Sequence, residues 1–379
     1  MLIDTTLREG EQFYGAYFDS GVRRRILTGL ADLGVDEIEL GCAGREDLPE
    51  LAAWARRHLH GPALGVWCRC HVDDLCLAAS LPVDWVNVGV PVSDAHIGVR
   101  LGTTRVGLLE QLATAMDAAK AHGIAQLSVG LEDFSRADPG FALKVAALAA
   151  RLGARRVRLS DTVGIFAPAD LAARVRPFAD LGLAVAVHCH NDLGMATANA
   201  VSALLAGATH ADVSILGLGE RAGIAALEQV ATFCTERGLD HYRLDGVREL
   251  CALAARAAGL PIPRNAPVAG RDVFACESGL HVAGLAKDPA LFEPFAPERV
   301  GAVRVVGVGA KSGQAAVRDA GRRLGVAVPD HLWPRMVAAV RATAGRVGRP
   351  LRDHELVDIF TQNMEVPPCF TNATTPGAE

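Results

Sequence analysis

Two histidines two positions apart are the residues in this chain whose spacing best suits metal chemistry. His188 and His190 end an apolar run that begins at Ala184. Residues two positions apart on a strand project from the same face, so both imidazoles could bind one metal ion. Cys189 projects from the opposite face, and we therefore do not expect it to be a ligand. The alternative is that both histidines face solvent on an ordinary strand.

A carboxylate for the same site follows the first apolar run of the chain, where Arg8 and Glu9 are adjacent. Glu9 with His188 and His190 would form a two-histidine, one-carboxylate site with open positions, which suits Mg, Mn, Zn, Co or Fe(II). Such an ion polarises the carbonyl group of a chelating 2-oxo acid. Arg8 could then stabilise the alkoxide that forms when a carbon nucleophile adds. The alternative is a surface ion pair between Arg8 and Glu9.

Parallel strands must position these residues, because short β-type runs alternate with helical stretches from the first residue to about Gly219. Eight such runs predict a closed (β/α)8 barrel, the TIM barrel, in the α/β class. The rival fold is an open doubly wound sheet, which more often has a glycine-rich phosphate turn after its first strand. The predicted strands are residues 2–6, 37–41, 64–69, 85–90, 126–132, 156–161, 184–190 and 211–216.

The active site of such a barrel lies at the carboxyl ends of its strands, where further polar residues converge. Glu132 ends strand five and is a candidate acid, base or orienting group, or else a solvated strand end. Thr162 follows strand six and could donate its hydroxyl to a substrate carboxylate or cap the next turn. Glu220 and Arg221 follow strand eight and could hold an anionic cofactor or form an internal ion pair.

A break at residues 260–263, LPIP, predicts a domain boundary. We expect a barrel over residues 1–260 and a smaller, mainly helical C-terminal region over 261–379, with a polar, frayed tail from Thr371. His281 lies in a glycine-rich stretch of this second region. A lone histidine in such a place is structural by default.

Composition narrows the classes of partner. The net charge is −5 with both signs interspersed, which argues against nucleic-acid binding and favours small molecules. The sequence has no charged-then-apolar leader and no apolar run of membrane-spanning length. We therefore expect a cytoplasmic protein without a membrane partner.

Two motifs carry a family resemblance. Residues 7–12, LREGEQ, match the pattern L-R-D/E-G-x-Q, and residues 188–194, HCHNDLG, match H-x-H-D/N-D-x-G. Over nearly its whole length the chain resembles the acyl-CoA-condensing branch of the metal-dependent lyase and synthase barrels, which includes 2-isopropylmalate, citramalate and homocitrate synthases. It looks most like homocitrate synthase. Residues 67–69, 91–94, 132–138 and 217–223 are similar to the nitrogen-fixation type, whereas Gln12-Phe13 and Ile224 are closer to the lysine-biosynthetic type.

The resemblance implies a role for each residue at the predicted mouth. Arg8 corresponds to the catalytic arginine of the family, and it also contacts substrate. Glu9, His188 and His190 correspond to the metal ligands, and Thr162 to the residue that contacts the 2-oxo acid.

Four further residues complete the candidate site. Gln12 and Arg136 are assigned to substrate binding, and Glu220 and Arg221 to binding of the cosubstrate acetyl-CoA. In this family the C-terminal segment reaches over the barrel of a partner subunit. The resemblance therefore implies a homodimer.

One departure from the family pattern affects the proton transfer. The family commonly has a histidine, thought to help deprotonate acetyl-CoA, where this chain has Cys276. A thiol is a poorer base than imidazole near neutral pH, because an unperturbed cysteine is mostly protonated. Cys276, His281 and Glu132 are therefore all candidate acid–base residues.

The resemblance implies condensation of acetyl-CoA with a 2-oxo dicarboxylic acid, followed by thioester hydrolysis. The specific expectation is a homocitrate synthase acting on 2-oxoglutarate. One alternative is a related synthase that uses oxaloacetate or a phosphono- or phosphinopyruvate. Others are a metal-dependent lyase or aldolase, which would not need acetyl-CoA, and a non-catalytic paralogue, which the cysteine at position 276 motivates.

Overall fold

The computed structural model describes residues 1–364, so residues 365–379, with the tail predicted from Thr371, lie outside it. The chain divides into two compact units, one formed by Met1–Arg271 and a second that begins at Asp272. The boundary predicted at residue 260 stays a prediction. No helix within residues 1–364 combines the length and the apolar character needed to cross a membrane.

The first unit is a closed barrel of eight strands, as predicted. Each strand pairs in parallel with the next, and the eighth pairs with the first. Closure excludes the open doubly wound sheet. The strands are β1 (Leu2–Asp4), β2 (Glu37–Cys42), β3 (Ala63–Arg69), β4 (Trp85–Pro91), β5 (Leu127–Glu132), β6 (Arg156–Asp161), β7 (Ala184–Cys189) and β8 (His210–Val213).

Helices surround the barrel and begin and end at recognisable signals. The side chains of Asp19 and Asp138 accept hydrogen bonds from backbone amides in the first turns of the helices that follow them. Gly34 ends the helix that follows Asp19, in a left-handed conformation that favours glycine. The helices of this unit are α1 (Ser20–Leu33), α2 (Leu48–His58), α3 (Val72–Ala79), α4 (Arg105–Ala121), α5 (Pro139–Arg151), α6 (Pro168–Ala179), α7 (Ala196–Leu205), α8 (Leu227–Glu236) and α9 (Val247–Ala257).

The interior of the barrel contains buried charges, whereas such interiors are usually filled by branched apolar side chains. Arg156 of β6 donates to both carboxylate oxygens of Glu37 at 2.7 and 2.9 Å, and its guanidinium lies 4.0 Å from the ring centre of Trp85. Glu39, one pleat further along β2, is also fully buried. These ionic side chains lie inside the barrel below its carboxyl-end mouth.

The second unit is mainly helical, as predicted. It contains a two-stranded parallel sheet, β9 (Ala275–Cys276) and β10 (Val305–Val306). Its core includes Trp333, whose ring meets that of Phe360 edge-on. The helices are α10 (Gly279–Leu285), α11 (Gln314–Arg323), α12 (Trp333–Val347) and α13 (Asp353–Met364).

Candidate active site

The structure brings together the three residues that the sequence predicts as metal ligands. Potential ligand atoms of Glu9, His188 and His190 all lie within 4.8 Å of one another, and all three residues are buried. Nε2 of His188 lies 3.3 Å from Nε2 of His190 and 3.9 Å from Oε2 of Glu9. Burial excludes the alternative of solvent-facing histidines. We call these three residues the metal triad.

Two neighbouring groups orient two members of the triad, His188 and Glu9. Nδ1 of His188 lies 2.9 Å from Oδ2 of Asp212 on β8, so a proton on Nδ1 leaves the Nε2 lone pair for a metal. The backbone amide of Glu220 donates to Oε1 of Glu9 at 3.1 Å. A Cβ atom at position 219 would lie 3.1 Å from Cγ of Glu9, so glycine there permits this close approach.

The pKa values of His190 and Glu9 both favour the protonation state that binds a metal. Burial, together with the adjacent His188, lowers the pKa of His190 to about 3, which keeps its imidazole neutral. Burial by itself would raise the pKa of Glu9, but the guanidinium of Arg8 and other neighbouring groups outweigh it and hold the pKa below its usual value. One carboxylate and two imidazole nitrogens are a donor set that fits a divalent cation.

Arg8 lies beside the triad and not at the surface, because its side chain is only 9% exposed. Its Nη1 lies 2.5 Å from Oε2 of Glu9, and its Nε lies 2.7 Å from Oε2 of Glu39. Burial lowers the pKa of Arg8, but the two carboxylates outweigh burial and raise the pKa above its usual value. The surface ion pair considered as an alternative is therefore wrong. The guanidinium is charged and held in a fixed orientation.

A cavity of about 230 Å³ at the mouth of the barrel contains most of the predicted site. A larger groove of about 730 Å³ lies between α1 and α9 among the outer helices, and it is lined by none of the predicted site residues. The smaller cavity is therefore the candidate active site. The predicted residues that line it are Arg8, Glu9, Gln12, Glu132, Thr162, His188, His190 and Glu220.

Two of these lining residues have partners that refine their predicted roles. A carboxylate oxygen of Glu132 lies 2.6 Å from Nη1 of Arg100, so Glu132 is not a simple solvated strand end. The hydroxyl oxygen of Thr162 accepts a hydrogen bond of 2.8 Å from the amide of Asp133. Thr162 thus caps a neighbouring loop, and its own proton can still be donated to a ligand in the cavity.

The charged turn after β8 forms an ion pair, one of the two possibilities that the sequence left open. Arg221 binds both carboxylate oxygens of Asp192 at 2.8 Å and the backbone oxygen of Thr162 at 2.7 Å. The side chain of Glu220 is 60% exposed and lies 3.6 Å from Arg221. The assignment of both residues to acetyl-CoA binding stays a prediction.

Two candidates of the first unit, Arg136 and Arg221, are not among the residues that line the cavity. Arg136 is exposed and binds both carboxylate oxygens of Asp133. In the second unit, Cys276 is partly buried, and the ring of the exposed His281 lies 4.5 Å from that of Phe292. The roles predicted for Arg136, Cys276 and His281 stay predictions.

The sequence interpretation missed four residues inside the barrel. Glu39, Asn87, Arg158 and Asp212 are all buried, and Asn87 and Arg158 line the cavity. One pattern in the sequence could have identified the charged ones, namely a charged residue at every second position of an otherwise apolar strand, as in Arg156-Val157-Arg158. Such alternation places the charges on one face, and in a closed barrel that face is the interior.

Comparison with protein families matches both units. The HMGL-like family model matches residues 1–254, which is more than half of the chain. A second model, described as homocitrate synthase post-HMGL domain-like, matches residues 268–347.

Three curated relatives align over more than nine-tenths of their own lengths. A 2-isopropylmalate synthase 2 of Caldanaerobacter subterraneus is 36% identical, over 95% of this chain and 94% of the relative. A 2-phosphonomethylmalate synthase of Streptomyces rubellomurinus is 35% identical, over 96% of this chain and 98% of the relative. A homocitrate synthase of Frankia alni is 38% identical, over 84% of this chain and 91% of the relative.

A solved structure shows the same fold. Hydroxymethylglutaryl-CoA lyase from Pseudomonas aeruginosa matches with a TM-score of 0.61 over 69% of this chain and 93% of that chain. The sequences are 20% identical, so this likeness concerns the fold alone.

Proposed function

Because this chain belongs to the HMGL-like family together with homocitrate and 2-isopropylmalate synthases, we propose that it condenses acetyl-CoA with a 2-oxo dicarboxylic acid. The proposed substrate is 2-oxoglutarate, which would make the protein a homocitrate synthase. The observation that carries the proposal is that the metal triad and Arg8 line one cavity. A site for carbonyl activation and a donor for the resulting alkoxide are therefore adjacent.

The carbonyl half of the reaction uses residues at the mouth of the barrel. Glu9, His188 and His190 would hold a divalent cation, which supplies Lewis acidity at the keto oxygen when bound. Arg8, fixed by its two carboxylate partners, donates to the alkoxide as negative charge develops on that oxygen. The hydroxyl of Thr162 donates to the carboxylate of the 2-oxo acid.

The acetyl-CoA half requires a base that removes a methyl proton. Glu132 lines the cavity, and its carboxylate is oriented by Arg100. We assign proton removal to Glu132 or His281 in preference to Cys276, because a thiol is mostly protonated near neutral pH. The resulting carbon nucleophile adds to the keto carbon, and water then cleaves the thioester and releases CoA.

A free-thiol assay of CoA release over a panel of 2-oxo acids tests the proposal. The panel contains 2-oxoglutarate, oxaloacetate, phosphonopyruvate, pyruvate and 2-oxoisovalerate. We expect release that depends on acetyl-CoA and is fastest with 2-oxoglutarate. Release with the monoacids alone would contradict the proposed substrate class. Cleavage of a hydroxyacyl-CoA without any condensation would instead identify a lyase.

A second candidate substrate is a phosphonopyruvate. The 2-phosphonomethylmalate synthase of S. rubellomurinus aligns with 96% of this chain, which favours a phosphonate as the second acid group. The same panel decides between the two, because the better substrate has the higher kcat/KM.

We also propose that the protein is a homodimer, as the family resemblance implies. Light scattering after size-exclusion chromatography should give twice the mass of one chain. A monomer at micromolar concentration would contradict this proposal.

A further inference from the structure

Arg158 is a buried cation of the cavity to which the proposed reaction assigns no role. It lies on β6 and is only 3% exposed, yet it lines the cavity. Its Nη1 donates to Oε1 of Glu39 at 3.1 Å, and its Nε lies 3.1 Å from Oδ2 of Asp212. Within residues 1–364, Nε and Nη2 are both buried and make no hydrogen bond, but Nε has the Asp212 carboxylate as an ion-pair partner and Nη2 has no partner at all. A buried donor without a partner is unfavourable, so this nitrogen is suited to a ligand.

Arg156 shows that the barrel interior can supply a hydrogen-bond partner to every nitrogen of a buried arginine. It lies on the same strand two residues earlier, and it binds Glu37 with both Nη1 and Nη2. Its Nε donates to Ser128 at 3.3 Å, and Nη2 also donates to Asn87 at 3.1 Å. Arg156 is not among the residues that line the cavity. The unsatisfied nitrogen therefore belongs to the arginine that borders the cavity.

Three other arginines near the cavity already have carboxylate partners. Arg8 lies beside the metal triad and binds Glu9 and Glu39. Arg100 is exposed and binds Glu132. Arg136 binds Asp133 through two nitrogens and does not line the cavity. Among these cations, Arg158 is the one with a buried donor still available.

We propose that Nη2 of Arg158 donates to the second acid group of the 2-oxo acid, and so makes the cavity selective for substrates with two acid groups. This inference rests on the proposed function, in which the keto and carboxylate oxygens lie at the metal triad. An alkyl chain in the same place would leave Nη2 buried and unpaired. Sites built to hydrogen-bond a polar substrate group reject analogues that lack it for this reason. The acid group can be a carboxylate or a phosphonate.

The test compares Arg158→Lys with Arg156→Lys. Lysine keeps a positive charge between Glu39 and Asp212 but removes the planar fork that carries Nη2. Arg156→Lys makes the same change at a buried arginine that does not line the cavity, so it controls for the general cost of the substitution. Calorimetry on the metal-loaded protein without acetyl-CoA measures Kd for 2-oxoglutarate, oxaloacetate and phosphonopyruvate, and for the monoacids 2-oxobutyrate and 2-oxoisovalerate.

Arg158→Lys should weaken binding of the diacids by on the order of tenfold to a hundredfold, as expected for one hydrogen bond to a charged group. Binding of the monoacids should change by less than about twofold, and Arg156→Lys should preserve the diacid preference even where it lowers Tm. The diacid whose affinity falls most identifies the acid group that Arg158 binds.

Three results would overturn the assignment. The first is an equal loss of diacid and monoacid binding in Arg158→Lys, which would indicate a structural role. The second is a selective loss of diacid binding in Arg100→Gln or Arg136→Gln but not in Arg158→Lys. The third result needs no variant: the wild-type protein would bind monoacids as tightly as diacids. A protein that binds no 2-oxo acid at all would instead overturn the proposed function, and this assignment with it.

Discussion

Replacing Arg8 by lysine should lower turnover far more than it lowers metal content or stability. The guanidinium connects Glu9 and Glu39, at 2.5 and 2.7 Å respectively. A single flexible ammonium cannot reproduce both contacts while also donating to a substrate oxygen. The buried carboxylates nevertheless keep other partners. Glu39 still accepts from Asn87 at 3.0 Å, and Glu9 still accepts from the amide of Glu220 at 3.1 Å.

Arg8→Lys therefore loses stabilisation mainly of the transition state, in which negative charge develops on the former keto oxygen. Removal of one oriented donor of this kind costs about a hundredfold or more in kcat. At 1.36 kcal/mol for each factor of ten, a hundredfold loss raises the barrier by about 2.7 kcal/mol.

The assay measures kcat and KM by CoA release, metal content and Tm for the wild type, Arg8→Lys and the control Arg45→Lys. Arg45 also connects two carboxylates, Glu11 at 2.8 Å and Asp47 at 2.6 Å, but it does not line the cavity. We expect kcat of the control to stay within about twofold of the wild type, as for an ion pair outside the site. A kcat of Arg8→Lys within about twofold of the wild type, at full metal content, would remove Arg8 from the mechanism.

Three further predictions concern metal binding and proton transfer. Chelators should abolish activity. His188→Ala should lower the bound metal measured by atomic emission, because one of three ligands is lost. Full metal occupancy with unchanged turnover in this variant would refute the metal triad. Asp212→Asn should weaken metal binding by roughly tenfold to a hundredfold, because the partner that orients His188 becomes a neutral amide. An unchanged Kd for the metal would show that this contact is dispensable. Cys276→Ala should retain most exchange of acetyl-CoA methyl protons in deuterated water, whereas Glu132→Gln or His281→Ala should not. Loss of exchange only in Cys276→Ala would identify the thiol as the base.

The strands could be predicted from the sequence because each is a short apolar run with a clear end. The predicted and observed limits of β6 are identical, Arg156–Asp161. The convergence of Arg8 with His188 could also be predicted, although they are 180 positions apart, since the topology of a (β/α)8 barrel places both at one mouth.

The ion pairs inside the barrel could not be predicted. Glu37 and Arg156 are 119 positions apart and lie on strands that are not neighbours. Their meeting depends on the tilt and stagger of the closed sheet, which no local pattern reports. The ion-pair partner of Arg221 could not be predicted for a similar reason. Asp192 follows a different strand, and only the folded loops bring the two side chains together.

The buried charges of the barrel interior also penalise misfolded forms of the sheet. If β6 paired one residue out of register, Arg156 and Arg158 would turn outward, under the apolar faces of the helices. Glu37 would then remain inside without its cation, and Glu39 would lose Arg158 and keep only Arg8. Each uncompensated charge costs several kcal/mol, which is comparable to the whole stability of a domain when several occur together. The ion pairs inside the barrel can thus form in only one register of the strands, and they disfavour sheets that pair in another register.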